Sequence, residues 1–393
     1  MKNNLNILHI FASAGWGGGE KYAFELACAL RDEGMSVALV SRPSEIIAGK
    51  AAAAGITHNV LPLKGIIDVV SAVRLARIMR TQNTDIIHVH NFKDAFTAVY
   101  AKYLAGIDTK IVVTRHLVRR GKSSLLYRWL YRHLDKIVFV SHLARTEFLE
   151  GVSFLPAAKT EVIYNSIDTQ LVANEAENLR SRYALSDNTV LLGFTGRVVA
   201  EKGCHVVVEA LAKMNATNVA AIFIGVGDSI YLQELQALAH ERGVADRVFF
   251  YGYSDNIAAL VSQVDIGLVP SVVKEAFCLS AVEYMFAAKP VIATDNGAQQ
   301  EYIRNGENGI LVPPSDVDAL AAAIDRLVAD PELRLAIGTH AQMSARKLFT
   351  YDRFRHRMMS LYASLWRTEP AGQSVLSTAP VGDSVQHSAE STR

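Results

Sequence analysis

Short apolar runs of strand length alternate with amphipathic helical stretches along most of the 393-residue chain, and this alternation limits the possible folds more than any other feature. NILHIF, SVALVS, HNVLPL, DIIHVH, KIVVT and KIVFV fall in the first half; VLLGFTG, AAIFIG, RVFFYG, IGLVPS, PVIAT and GILVPP fall in the second. Runs that are apolar on both faces and separated by helices predict parallel strands covered on both sides. With half of its residues hydrophobic, a chain this long fills more than one ordinary domain. Two doubly wound, Rossmann-like α/β domains facing across a cleft are therefore expected, the first over residues 1–180 and the second over 181–350. The polar stretch Asn174 to Asn188 reads as their linker. Residues 351–367 carry Phe354, Met358, Leu361, Tyr362, Leu365 and Trp366 at helical spacing, which predicts a terminal helix packed on the body. Residues 368–393 are rich in Ser, Thr, Ala, Pro and Gly without an aromatic residue, the composition of a disordered tail.

Cys28, Cys204 and Cys278 are scattered and odd in number, which argues against a disulfide framework or a zinc cage and suits a reducing cytoplasm. The opening MKNNLNILHIFASAG is too short in its apolar run for a signal peptide or a spanning helix, so a cytoplasmic protein is expected. The net charge of +1 hides an asymmetry: residues 1–185 hold 23 Lys and Arg against 16 Asp and Glu, and the remainder holds 17 against 23. Basic and aromatic residues do not interleave as in a nucleic-acid surface, so nucleic acid is not expected as a partner. The basic excess concentrates at Arg115, Arg119, Arg120, Lys122, Arg128 and Arg132, beside Leu117, Val118, Leu125, Leu126, Trp129, Leu130 and Tyr131. A basic-apolar stretch over 115–133 suits an anionic, lipid-linked acceptor at the inner face of a membrane; it equally suits a partly buried helix with solvated arginines.

Four places carry chemistry. Directly after the first strand, Gly15, Gly17, Gly18 and Gly19 open a helix, where glycine permits close approach of an oxyanion and the helix start offers unpaired amides. Glu20 stands ready to cap that helix. In GFTGRVVAEKG a strand ends at Gly196 and Arg197, with Lys202 just before Gly203. Two cations at the carboxyl end of a strand suit a diphosphate and its developing charge without a metal. In PSVVKEAFCLSAVEYMFAAKPVIAT, Glu275 and Glu283 stand eight positions apart. With a helix beginning near Phe277, Glu275 lies in the loop before it and Glu283 on its first turns, so both address one ligand. Carboxylates grip vicinal hydroxyls, and two of them suit the ribose and hexose of a nucleotide-sugar. Finally, His88 and His90 alternate on one strand; metal ligation is not expected there, because no Asp, Glu or Cys at ligand spacing completes a site.

These segments, together with VIYNSID, GVGD, DNGAQQE and NGENGILVPP, resemble in order and spacing the retaining glycosyltransferases of family four over roughly residues 5 to 365. The resemblance implies the GT-B architecture and transfer of a hexose-type sugar from a nucleotide diphosphate sugar to a glycan or lipid-linked acceptor, as in polysaccharide or lipopolysaccharide biosynthesis, with no metal or other cofactor. It implies that Gly18, Gly19, Gly196, Arg197 and Lys202 face the donor phosphates, with the amides of Phe277, Cys278 and Leu279. Glu275 and His116 would face the transferred sugar and Glu283 the ribose. Gly17, Glu20 and His90 fall on the acceptor side. Cys278 departs from the family's usual Gly, Ser166 from the Gly of Asn-Gly, and Ala298 from a second Gly. Cys278 permits close backbone approach provided that its φ is negative, and sets a thiol beside the donor. A nucleotide-sugar 2-epimerase of the same fold is the alternative enzyme, and a non-catalytic nucleotide-sugar binding protein the other alternative.

Overall fold

A computed structural model of the chain describes residues 5–12, 16–167 and 177–367. Gly15, part of the expected linker and the expected tail 368–393 lie outside the described residues.

Seven parallel strands build the first sheet: β1 (Asn6–Phe11), β2 (Ser36–Ser41), β3 (Thr57–Val60), β4 (Ile86–Val89), β5 (Lys110–Arg115), β6 (Lys136–Phe139) and β7 (Thr160–Val162). Six build the second: β8 (Val190–Thr195), β9 (Val219–Ile224), β10 (Val248–Gly252), β11 (Ile266–Val269), β12 (Val291–Thr294) and β13 (Ile310–Val312). Every apolar run singled out in the sequence is a strand. The unexpected one is β7, three residues, Thr-Glu-Val, at the sheet edge, too short and too polar to show a pattern. The spatial orders are β3-β2-β1-β4-β5-β6-β7 and β10-β9-β8-β11-β12-β13. In each sheet the chain winds outward from its first strand, so the order switches between β1 and β4 and between β8 and β11. A crevice opens beyond the carboxyl ends of strands at such a switch, and there α/β sheets bind ligands.

Both sheets are apolar on two faces because helices cover both. The helix Gly18–Asp32 buries Tyr22, Ala23, Leu26, Ala27 and Leu30 on one side of the first sheet. The helix Phe92–Ala105 packs Ala95, Phe96, Ala98 and Val99 on the other. Leu179–Arg182, inside the expected linker, forms one short helix whose Leu179 is fully buried with the second domain's core.

The terminal helix Tyr351–Arg367 returns to the first domain, where Phe354, Met358, Leu361 and Tyr362 join the core around Tyr22 and Leu26. At about 1.5–3 kcal/mol for each large apolar side chain buried, four of them fix this helix to the first domain. Trp366, expected on the same stripe, is 38% exposed. Twelve positions beyond Phe354 it has turned about 120° from the buried face, whereas Leu365 remains near it.

Contacts also cross directly between the domains. Glu301 accepts from the amides of His142 (3.0 Å) and Leu143 (2.6 Å), capping the first-domain helix His142–Glu150, and from the hydroxyl of Tyr164 (2.8 Å). A carboxylate there meets the positive end of the helix. Lys274 pairs with Glu147, and Lys50 lies 3.7 Å from Asp255. Among the described residues, no helix is long and apolar enough to cross a membrane.

Candidate functional site

The second-domain wall is built at the β8/β11 switch. After β8, Gly196 adopts φ +141° and Arg197 is exposed, without an ion pair among the described residues. The loop then closes in a turn, Ala200–Lys202, that ends at Gly203 with φ +73°. A Cβ on Gly203 would fall 1.9 Å from the carbonyl oxygen of Pro270, just past β11, so only glycine lets the two loops touch. Val272 N donates to Glu201 O (3.0 Å) and seals the contact. Lys202 Nζ thereby comes within 2.5 Å of Glu275 Oε1, and the Ser271 hydroxyl donates to the same oxygen. On its far side the Glu275 loop rests on the DNGAQQE turn, where Ala298 N donates to Glu275 O (2.9 Å). Gly297 has no room for a Cβ, which would lie 2.7 Å from Glu275 N.

The following helix is Leu279–Phe286, with Cys278 as N-cap, two positions later than the expected start near Phe277. Phe277 is buried among Tyr164, Tyr302 and Phe349, and its carbonyl accepts from the Tyr302 hydroxyl (2.7 Å), so its side chain belongs to the core. The negative φ expected of Cys278 is not found: it sits at φ +70°, left-handed backbone that costs a non-glycine residue about 1–2 kcal/mol. Its thiol is not poised to react either. Burial, and then the charge of Glu275, pushes it up to about 12, leaving little thiolate at neutral pH. The first-turn amides from Leu279 onward have no acceptor within the helix.

Across the cleft, Gly17 is the N-cap of Gly18–Asp32 and supplies no side chain; the carboxylate of Glu20 in the first turn lies 3.2 Å from where a Gly17 Cβ would stand. A Cβ on Gly18 would lie 3.5 Å from Leu279 Cδ1, so the two helix starts face each other across the domains. A Cβ on Gly19 would lie 4.0 Å from His116 Cδ2. Lys21 Nζ is 3.5 Å from Glu283 Oε1. Lys21 directly follows the glycine cluster and Glu20, but its partner Glu283 lies in the other domain, so spacing alone does not mark it.

His116 follows β5 and packs edge-on against Tyr22 at 4.8 Å. Behind it lies a histidine cluster that sequence spacing concealed, because His9 is far from His88 in the chain yet is its register partner across β1 and β4. His116 Nε2 is 3.5 Å from His90 Nδ1, and His90 Nε2 is 3.1 Å from His9 Nδ1. Both nitrogens of His90 are thus engaged by imidazoles. His88 bonds to the Tyr362 hydroxyl through Nδ1 (2.6 Å) and to Thr114 Oγ1 through Nε2 (2.7 Å). One nitrogen each of His9, His88 and His90 lies within 4.8 Å of the others, so His9 completes a three-histidine group that the spacing of His88 and His90 did not lead one to expect. Arg115, expected on the basic surface, instead turns inward over the rings of Phe92 (5.4 Å) and Phe148 (5.7 Å), which shield its charge.

Residues 16–171 match the model of Glycosyltransferase Family 4, and residues 175–343 that of Glycosyl transferases group 1. The N-acetyl-alpha-D-glucosaminyl L-malate synthase of Bacillus anthracis is 30% identical over 314 residues, 78% of this chain and 81% of that one. The chain belongs to the family 4 glycosyltransferases. The lipopolysaccharide core biosynthesis mannosyltransferase LpcC of Rhizobium leguminosarum bv. viciae is 28% identical over 285 residues, 71% of this glycosyltransferase and 78% of LpcC. In fold, the glycosyltransferase superposes on Anabaena Alr3699/HepE in complex with UDP-glucose with a TM-score of 0.81 at 23% identity, covering 92% of this chain and all of that one. Its two parallel sheets are the GT-B architecture.

Proposed function

We propose that this glycosyltransferase moves a hexose-type sugar, with retention of configuration and without a metal, from a nucleotide diphosphate sugar to a glycan or lipid-linked acceptor. The observation that carries the proposal is the Lys202–Glu275 pair at 2.5 Å, beside the helix start at Leu279 and opposite Gly18. A cation and the leading amides of a helix suit a diphosphate, and a carboxylate one step away suits the hydroxyls of the sugar attached to it. Lys202 and Arg197 would offset charge on the departing phosphate, which takes the acceptor proton as the sugar is attacked from the same face. The protein's work is positioning and electrostatic stabilisation. HepE, crystallised with UDP-glucose, and LpcC, a lipopolysaccharide mannosyltransferase, support a donor and a pathway of this kind. A panel of nucleotide-sugars screened by shift in melting temperature identifies the donor. Transfer from that donor is expected to persist in EDTA; turnover lost on chelation and restored by Mg2+ or Mn2+ contradicts the metal-free mechanism.

Glu283, paired with Lys21 here, is proposed to exchange that partner for the ribose hydroxyls when the donor enters. Such a contact is the same in ground and transition states, so Glu283→Ala is expected to raise KM for the donor about tenfold and leave kcat nearly unchanged. Steady-state kinetics check this; a large fall in kcat at constant KM contradicts the ribose role.

A lipid-linked acceptor is favoured by one surface of the first domain. On the helix Leu125–His133, Tyr127, Leu130 and Tyr131 are buried, while Leu125 is 85% and neighbouring Leu117 60% exposed, close to Arg119, Arg120, Lys122 and Arg128. Tyr103, itself exposed, touches His133 and extends the apolar surface towards Leu104 and Val69. Cations ringing exposed apolar side chains suit an anionic bilayer surface. Sedimentation with anionic liposomes, lost at raised salt and absent with neutral lipid, is the expected outcome. Equal recovery in the supernatant under all conditions contradicts it.

A further inference from the structure

The imidazoles of His116, His90 and His9 form a hydrogen-bonded line running from the cleft into the first sheet, with N–N separations of 3.5 and 3.1 Å. We infer that this line fixes the tautomer of His116, making His9 a positioning residue that obliges His116 to present Nδ1–H to the cleft. The innermost ring decides the direction. His9 is fully buried and its Nε2 has no partner among the described residues. A neutral imidazole carries one proton, on Nδ1 or on Nε2. Placed on Nε2 it would be an orphaned buried N–H, and such groups are rarer and costlier than an orphaned acceptor. On Nδ1 it lies in the 3.1 Å bond and is donated to His90 Nε2. His90 Nε2 is then an acceptor, so the proton of His90 is on Nδ1 and is donated to His116 Nε2. That nitrogen accepts in turn, which leaves the proton of His116 on Nδ1. This atom has no partner among the described residues, and His116 as a residue is not fully buried.

Burial disfavours the charged form of all three rings. Burial brings His9 down to about 3 and His90 well below its ordinary value, and burial with neighbouring Arg115 brings His116 to about 4. The cleft therefore carries an uncharged donor from the first domain and an acceptor, the Glu275 carboxylate, from the second. A sugar hydroxyl that meets His116 accepts from Nδ1–H and keeps its own proton for another acceptor. This last role rests on the function proposed above; the tautomer does not.

The test uses the full chain labelled with [15N]histidine and long-range 1H–15N correlation near pH 7.5, with single His variants assigning the signals. His116, His90 and His9 are expected as Nδ1–H tautomers, opposite to the form that predominates in free histidine. A cationic His116, or one protonated on Nε2, overturns the inference. So do ring-nitrogen shifts of metal ligation in His9 and His90 on adding one equivalent of Zn2+. His9→Phe keeps a ring but removes the terminal donor, and is expected to release His116 towards Nε2–H and lower kcat about tenfold. His9→Asn keeps an N–H near the position of Nδ1 and is expected to restore both. A fall in kcat with the His116 tautomer unchanged shows a merely structural His9 and also overturns the inference. The tautomers are read without substrate, so expected spectra from a protein that transfers no sugar would fault the proposed function and leave the histidine line standing.

Discussion

Replacing Glu275 by Gln is expected to lower kcat about a hundredfold to a thousandfold, equivalent to roughly 2.7–4 kcal/mol of transition-state stabilisation. The carboxylate is held on one oxygen by Lys202 and Ser271, and its main-chain carbonyl accepts from the Ala298 amide of the DNGAQQE turn, so its position is fixed before the donor arrives. Positive charge grows near the anomeric carbon as the bond to phosphate loosens, and the attraction of a fixed carboxylate grows with it. The loss therefore falls on kcat more than on KM. Gln keeps the shape and two hydrogen-bonding atoms, so donor binding by calorimetry and the melting temperature should change little. A kcat within about threefold of the parent would make Glu275 structural.

Gly203→Ala is expected to be the most damaging small substitution near the site. The new Cβ meets the Pro270 carbonyl oxygen at 1.9 Å, a backbone atom that cannot swing aside, and Ala at φ +73° is strained in addition. Left-handed strain of about 1–2 kcal/mol and overpacking of about 1–3 kcal/mol add to roughly 3 kcal/mol or more. For a domain of this size that is a fall of about 6–12 °C in melting temperature. Lys202 would move away from Glu275 as the loops part, so activity should fall even at temperatures where the variant is folded. A melting temperature within about 2 °C of the parent would show that the loops separate without cost.

The sheets were legible in the sequence because buried parallel strands leave continuous apolar runs, and twelve such runs became twelve strands. Edge strand β7, three residues with a central Glu, leaves no such trace. The chemistry-bearing loops were legible for a related reason: they follow strand ends, where glycine and charge interrupt an apolar pattern. Other features were illegible because they depend on partners distant in the chain. The pairing of Lys21 with Glu283 forms only when two domains face each other. His9 reads as one polar residue in a strand until β1 is laid beside β4. The backbone of Cys278 is set by the loop that holds Glu275, and a small side chain gives no sign of the left-handed angle forced on it. Arg115, at the end of β5, turns inward because Phe92 and Phe148, from two helices, provide ring faces for it.

If donor and acceptor are held for transfer with retention, the anomeric configuration of the first product must match that of the donor. With the donor identified by melting-temperature shift, 1H NMR follows the sugar delivered to water or a simple alcohol in the presence of EDTA, at times short enough to precede mutarotation. The expected result is a new product whose anomeric coupling matches that of the sugar in the donor, at a rate that Glu275→Gln reduces about a hundredfold or more. An inverted product, or a donor epimerised at C2 with no sugar transferred, rules out retaining transfer by this enzyme.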